Sequence, residues 1–99
     1  MKNSIEALNK AFESRVRLGI MSILMVAESV DFGTLKAELK ITDGNIASHI
    51  SALEKLEYIN VKKQFIGKKP NTTYIITAKG RKAFTLHIHA LEKIIKQTL

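Results

Sequence analysis

Apolar residues along this chain recur first at helical spacing, then at strand spacing, and finally at helical spacing again. Ile5, Leu8 and Phe12 fall three and four residues apart and predict an amphipathic helix over about 4–12. Ser14 is placed to cap a second helix reaching Val26 or Glu28. Its apolar residues, from Val16 and Leu18 through Ile20, Met21, Ile23, Leu24, Met25 and Val26, leave almost no polar face, as in a buried central helix. Val30 marks a short strand, and Asp31 can cap a helix from Phe32 to Leu39 with Phe32, Leu35 and Leu39 inward. Lys40-Ile41-Thr42 is a tight turn, with Thr42 as N-cap and Asp43 at the positive end of a helix over 43–57. That helix has a core stripe of Ile46, Ile50, Leu53 and Leu56.

The period then changes. Tyr58 to Ile66 and Thr72 to Thr77 are rich in β-branched and aromatic residues, and Gly67-Lys68-Lys69-Pro70-Asn71 separates them as a turn. Thr77 can cap a last helix, over about 80–97. The predicted order is α-α-(β)-α-α-β-β-α, mostly α with one β-hairpin (α+β). Within it, two helices joined by a three-residue turn form a helix–turn–helix, and the hairpin follows as a wing.

At 99 residues the chain suits one domain over 1–99, and 45% hydrophobic with 25% charged residues is the balance of a folded globule. A domain this small buries only about two thirds of its unfolded surface and gains from dimerising. Its longest apolar run, Ile20–Ala27, interrupted only by Ser22, is far short of the ~20 residues that span a bilayer. Met1-Lys2-Asn3-Ser4 opens no signal-peptide core, so a cytoplasmic protein with no membrane role is expected. The absence of cysteine excludes disulfides and thiolate metal sites.

Charge changes the picture most. There are 16 Lys+Arg against 9 Asp+Glu, a net of +7. Between Tyr58 and Leu91 no acid occurs, while Lys62, Lys63, Lys68, Lys69, Lys79, Arg81 and Lys82 supply the whole excess. Basic charge gathered on a hairpin beside an amphipathic helix points to a nucleic-acid partner, gripped at the backbone and read in the groove. The helix face opposite Ile46, Ile50 and Leu53 carries Gly44, Asn45, Ser48, Ser51, Ala52 and Lys55. Small and polar residues suit entry into the major groove of double-stranded DNA, where Asn45 can pair with adenine and Ser48 can meet base edges. Lys55 suits a phosphate. His49 is lateral, open either to DNA or to the seam between helices. Arg15 and Arg17 are further phosphate candidates. Lys68, Lys69 and Asn71 at the hairpin tip fit backbone and minor-groove contacts. Lys62 and Lys63 point to opposite faces of a strand, so one of them, taken as Lys62, joins the DNA surface.

The run Ile41-Thr42-Asp43-Gly44-Asn45-Ile46-Ala47-Ser48-His49-Ile50, the hairpin tip Gly67-Lys68-Lys69-Pro70, and Thr73-Tyr74-Ile75-Ile76-Thr77-Ala78-Lys79-Gly80-Arg81 together resemble winged helix–turn–helix regulators of the ArsR/MarR type. The resemblance runs from about Phe12 to Phe84. It implies a prokaryotic, homodimeric transcriptional regulator, a repressor by expectation, with Asn45, Ser48 and His49 at bases and Lys68 and Lys69 on the backbone. Glu57 departs from the pattern, because glycine often ends the recognition helix in such proteins.

Outside that region, Phe84, Ile88, Leu91, Ile95 and Thr98 form a heptad-like seam. With Ile5, Leu8 and Phe12 it makes the terminal helices, about 4–12 and 80–97, the expected dimerisation elements. His87 and His89, two apart on a helix, diverge too far to share an ion. No cofactor, metal or small-molecule substrate is expected, and an effector is left open. No nucleophile–base pair, phosphate loop or paired carboxylate occurs at a workable spacing, so catalysis is not expected. The alternative to DNA binding is a winged-helix module that docks protein in a larger assembly, which would call for exposed apolar anchors.

Overall fold

The structure is a computed structural model, and it describes residues 5–98. A 3₁₀ turn (Lys10–Phe12) leads into α1 (Arg15–Ala27), β1 (Ser29–Asp31), α2 (Phe32–Leu39), α3 (Asp43–Lys55), β2 (Ile59–Ile66), β3 (Lys69–Ile76) and α4 (Ala78–Thr98). The expected caps are in place. Ser14 accepts from Arg17 N, Asp31 from Thr34 N at 2.7 Å, Thr42 from Asn45 N at 3.3 Å, and Thr77 from Gly80 N at 2.9 Å. Each such cap contributes about 1 kcal/mol to its helix. The hydrogen bond from the Thr34 N–H, and after it one from the Thr34 side chain, hold the Asp31 carboxyl below its ordinary value.

The three strands form an antiparallel sheet in the order β1-β3-β2, with Val61 opposite Tyr74 and Lys63 opposite Thr72. β1 pairs only with Thr73, Tyr74 and Ile75, so the outer half of β2 and β3 projects beyond it as a two-stranded wing. Pro70 is tolerated there because β3 has one neighbour at that point rather than two. The turn is tighter than the predicted 67–71. It consists of Gly67 and Lys68 alone, while Lys69, Pro70 and Asn71 belong to β3. Gly67 has φ 65° and Lys68 is not in the positive-φ region, the pattern of a two-residue hairpin that needs glycine first.

The core lies between the helices and the inner face of the sheet. Ile20, Met21 and Leu24 from α1, Leu35 from α2, and Ile46 and Leu53 from α3 are fully buried. Ile50, Ile59, Tyr74 and Ile76 join them, with Val30, Phe12 and Phe84. The expectation that α1 is apolar and buried all round fails in its last turn, where Val26 is 88% exposed. There the chain leaves the helix through Glu28, at φ 66°, and turns into β1, where Val30 returns to the core.

Two expectations about the ends are corrected. Ile5, Leu8 and Phe12 do not share one helix. Among the described residues the helical stretch stops after Glu6, and Asn9 is extended before the 3₁₀ turn it caps. Asn9 is held by partners that local periodicity does not reveal: its N–H donates to His87 Nδ1 and its side-chain amide to the Tyr58 hydroxyl, both at 3.0 Å. Secondly, Phe12 and Phe84 are spent inside their own chain, 0% and 4% exposed, and leave no surface for a partner. Their rings meet edge to face at 5.1 Å, and Phe12 also packs against Tyr58 and His87. Burial beneath these rings pushes the His87 imidazole below its ordinary value, partly opposed by Glu13.

The exit of α3 positions everything after it. Tyr58 N donates to Leu53 O and Glu57 N to Glu54 O, the paired bonds of a Schellman motif. Glu57 occupies its left-handed position at φ 63°, so the helix ends as glycine would end it, at the cost of strain in a residue with a Cβ. Thr77 then locks the exit to α4. Its hydroxyl donates to Glu57 O at 2.7 Å, and its N–H donates to Tyr58 O at 3.1 Å. Gly80 permits this approach, since a Cβ there would sit 2.1 Å from Tyr58 O. Arg81 donates to Met25 O at 3.3 Å and lies 3.9 Å from the Glu28 carboxylate, tying α4 to the end of α1. The Thr77-x-x-Gly80-Arg81 run is therefore a docking device for the last helix.

Candidate nucleic-acid interface

α2, the turn at 40–42 and α3 make the helix–turn–helix. Lys40 ends α2 in a left-handed conformation, φ 53°. Lys36 on α2 pairs with Asp43 in the first turn of α3 at 2.6 Å, the two side chains 48% and 64% exposed, so the contact orients more than it stabilises. Gly44, Asn45, Ser48, Ser51 and Lys55 are exposed and Ala52 is half-buried, on the side of α3 away from Ile46, Ile50 and Leu53. Ser48 Oγ donates to Asn45 O at 3.2 Å and keeps its acceptor capacity. The result is a small-residue polar face, one helix wide and open to solvent.

His49 sits in the seam. Arg17 Nε donates to its Nδ1 at 3.0 Å, and Arg17 also donates to Ala11 O at 3.5 Å. Burial, and after it the Arg17 charge, push the imidazole below its ordinary value. With Nδ1 accepting, the neutral ring carries its proton on Nε2. Arg17 is thus a brace between α1 and α3.

The wing stands on the other flank of α3. Ala47, Ser51 and Glu54 face Val61, Lys63 and Thr72 across a shallow groove. This corrects the choice between the paired lysines. Lys63 lies beside the recognition helix, while Lys62 alternates onto the outer face of the sheet with Asn60 and Gln64. The alternation itself carries the signal, because Ile59 and Val61, in phase with Lys63, are the inward residues. Lys68 and Lys69 are exposed at the tip. Asn71 is half-buried, its amide donating to the Thr73 hydroxyl at 3.3 Å. Sequence reasoning also passed over Phe65, a large side chain 73% exposed near the tip. Among the described residues no three His, Asp or Glu side chains gather to hold a metal ion, and no helix is long and apolar enough to cross a membrane.

A helix–turn–helix whose second helix presents a small polar face, followed by a basic two-stranded wing, defines the winged-helix class of DNA-binding domain. Residues 16–95 match the family model described as a winged helix DNA-binding domain, and the chain belongs to that family. An uncharacterised protein of Methanocaldococcus jannaschii is 37% identical over 87 residues, covering 88% of this chain and 95% of that one. The structure of a transcriptional regulator homologue from Pyrococcus horikoshii OT3 superposes with a TM-score of 0.89 at 28% identity, over 99% of this chain and 98% of that one. NadR, solved in complex with 4-hydroxyphenylacetate, shares the fold at a TM-score of 0.73 and 18% identity, over 99% of this chain and 69% of that one.

Proposed function

We propose that this protein is a sequence-specific regulator of transcription that binds double-stranded DNA as a homodimer. α3 enters the major groove and the wing lies on the neighbouring backbone and minor groove. The observation that carries this reading is the joining of two features on one surface: the exposed Asn45–Ser48 face of α3 and an acid-free basic hairpin beside it. Asn45 and Ser48 read base edges. Lys55, Lys63, Lys68 and Lys69 neutralise phosphates, with Lys62 and Asn71 on the outer face of the same wing. Bound across a promoter, such a dimer blocks polymerase, and repression is the expected mode. It acts by occupying DNA in a prokaryotic cytoplasm, with no substrate to turn over.

The dimer rests on α4. Its apolar stripe starts inside the domain at Phe84, passes Ile88 at the edge of the core, and runs out to Leu91 and Ile95, 42% and 49% exposed. Ile5, 53% exposed, and Leu8 lie in the N-terminal segment and extend the seam. Paired α4 helices would set the two recognition helices to half-sites about 34 Å apart on a pseudo-palindrome. Selection from a random duplex pool at about 150 mM salt tests the whole reading. Enrichment of an inverted repeat supports it. Binding without enrichment leaves only a general DNA binder, and no retention rejects DNA as the partner.

A further inference from the structure

We infer that Phe65 is a wedge that the wing drives into the minor groove, so that binding kinks the duplex; this rests on the DNA-binding reading above. Phe65 is 73% exposed, an unusual place for a phenyl ring on a strand with a core face available. It lies in phase with Val61 and Lys63, which line the groove beside α3, so it projects toward the side on which the recognition helix lies. Four residues beyond Val61, it stands roughly 13 Å farther out along the strand. With α3 in a major groove about 12 Å wide, that reach crosses the phosphate backbone to the adjacent minor groove.

The tip is built to carry load. Phe65 pairs across the strands with Pro70, and the turn is the two-residue Gly67-Lys68, so little freedom is lost on insertion. Lys63 shares the ring's face of β2 two residues inward and Lys68 stands in the turn beyond it, and no acid lies within the wing. An apolar side chain with phosphate-binding groups on either side is the device by which minor-groove proteins unstack a base step and bend DNA. The other exposed apolar side chain beside it, Ile66, 63% exposed, alternates onto the opposite face of the strand.

Ligase-driven ring closure of a mixed-sequence fragment of about 120 bp, shorter than the ~150 bp persistence length, reads the bend directly. It is run at protein concentrations that saturate the fragment in a parallel mobility-shift titration. Wild-type protein is expected to raise the closure rate by about tenfold or more. Phe65→Ala, compared at the higher concentration that saturates the fragment in its own titration, should lose most of that gain, while Phe65→Leu, which keeps an apolar wedge, should retain most of it. Equal closure with wild type and Phe65→Ala, or wild-type binding without faster closure, overturns the wedge and leaves DNA binding intact. Failure of wild type to bind duplex at all overturns the DNA-binding reading and the wedge with it.

Discussion

Gly80→Ala places a single methyl group where two main chains meet, and the structure fixes the sign of its effect. In the first turn of a helix, glycine to alanine ordinarily stabilises by up to about 1 kcal/mol. Here the new Cβ would lie 2.1 Å from Tyr58 O, 2.8 Å from Tyr58 C and 2.9 Å from Tyr58 Cα. All three are backbone atoms, so no side-chain rotation relieves the contact. An ordinary carbon–oxygen separation is about 3.3 Å or more, and α4 must retreat from the α3 exit by roughly 1 Å. That retreat pulls on the Thr77 hydroxyl, which bonds Glu57 O and the Gly80 N–H together. Overpacking costs typically 1–3 kcal/mol, and a clash between rigid main chains belongs at the upper end. After subtracting the propensity gain, a net loss of about 2 kcal/mol is expected, or roughly 8–16 °C in Tm for a domain of this size. Gly44→Ala is the matched control. Nothing lies within 4 Å of its Cβ position, so the same substitution should raise stability by up to about 1 kcal/mol. Urea titration followed by far-ultraviolet circular dichroism, at one fixed protomer concentration, measures both. If Gly80→Ala matched or exceeded wild type, the close approach of α4 to Tyr58 would be wrong.

Other outcomes follow from the same geometry. Glu57→Gly should stabilise by about 0.5–1 kcal/mol in urea titration, because relief of a left-handed Glu exceeds the entropy cost of glycine. Asn45→Ala should cost about 1–3 kcal/mol at selected sites and spare random DNA, whereas Lys68→Ala with Lys69→Ala should weaken both and flatten the salt slope by up to about 2 units; fluorescence anisotropy across a salt series separates the two patterns. His87 is held below its ordinary value near 6.5, so the unfolded chain binds the extra proton. Stability should therefore be fully present above pH ~6.5 and fall as pH drops through that value, and His87→Asn should flatten this dependence in denaturant titrations at several pH values. Leu91→Glu with Ile95→Glu should yield monomers by analytical ultracentrifugation and weaken operator binding, while the monomer core stays folded.

The local chemistry of the fold was legible wherever a cap or a period stood alone. Asp31 and Thr42 mark the starts of α2 and α3 because their side chains serve backbone N–H groups three residues on, a bond contained in the sequence window. β2 and β3 follow from runs of β-branched and aromatic residues that suit a pleated, half-buried surface, and Val30 alone marks β1. What escaped was set by remote partners. Asn9 breaks an otherwise helical stripe because His87 and Tyr58, far along the chain, hold it extended. Phe84 heads a heptad-like seam in the sequence, yet Phe12 takes it into the monomer core. The stripe is exposed only past the point where α4 leaves the domain.

On the interface the same division holds, with one exception. The polar face of α3 was readable because three buried isoleucine and leucine positions define its opposite. His49 was not, since the arginine that claims it lies 32 residues away on α1. Lys63 is the exception: it is out of register with Lys62 by one residue, and that one residue reverses the face. The phase was available from Ile59 and Val61, the two residues that seat β2 on the core. The same phase carries Phe65 to the α3 side of the wing, where a charge-based reading of the tip sees only lysines. A strand that begins by burying isoleucine and ends by exposing phenylalanine on one continuous face has changed what that face meets, from the core to solvent and, on the proposed reading, to DNA.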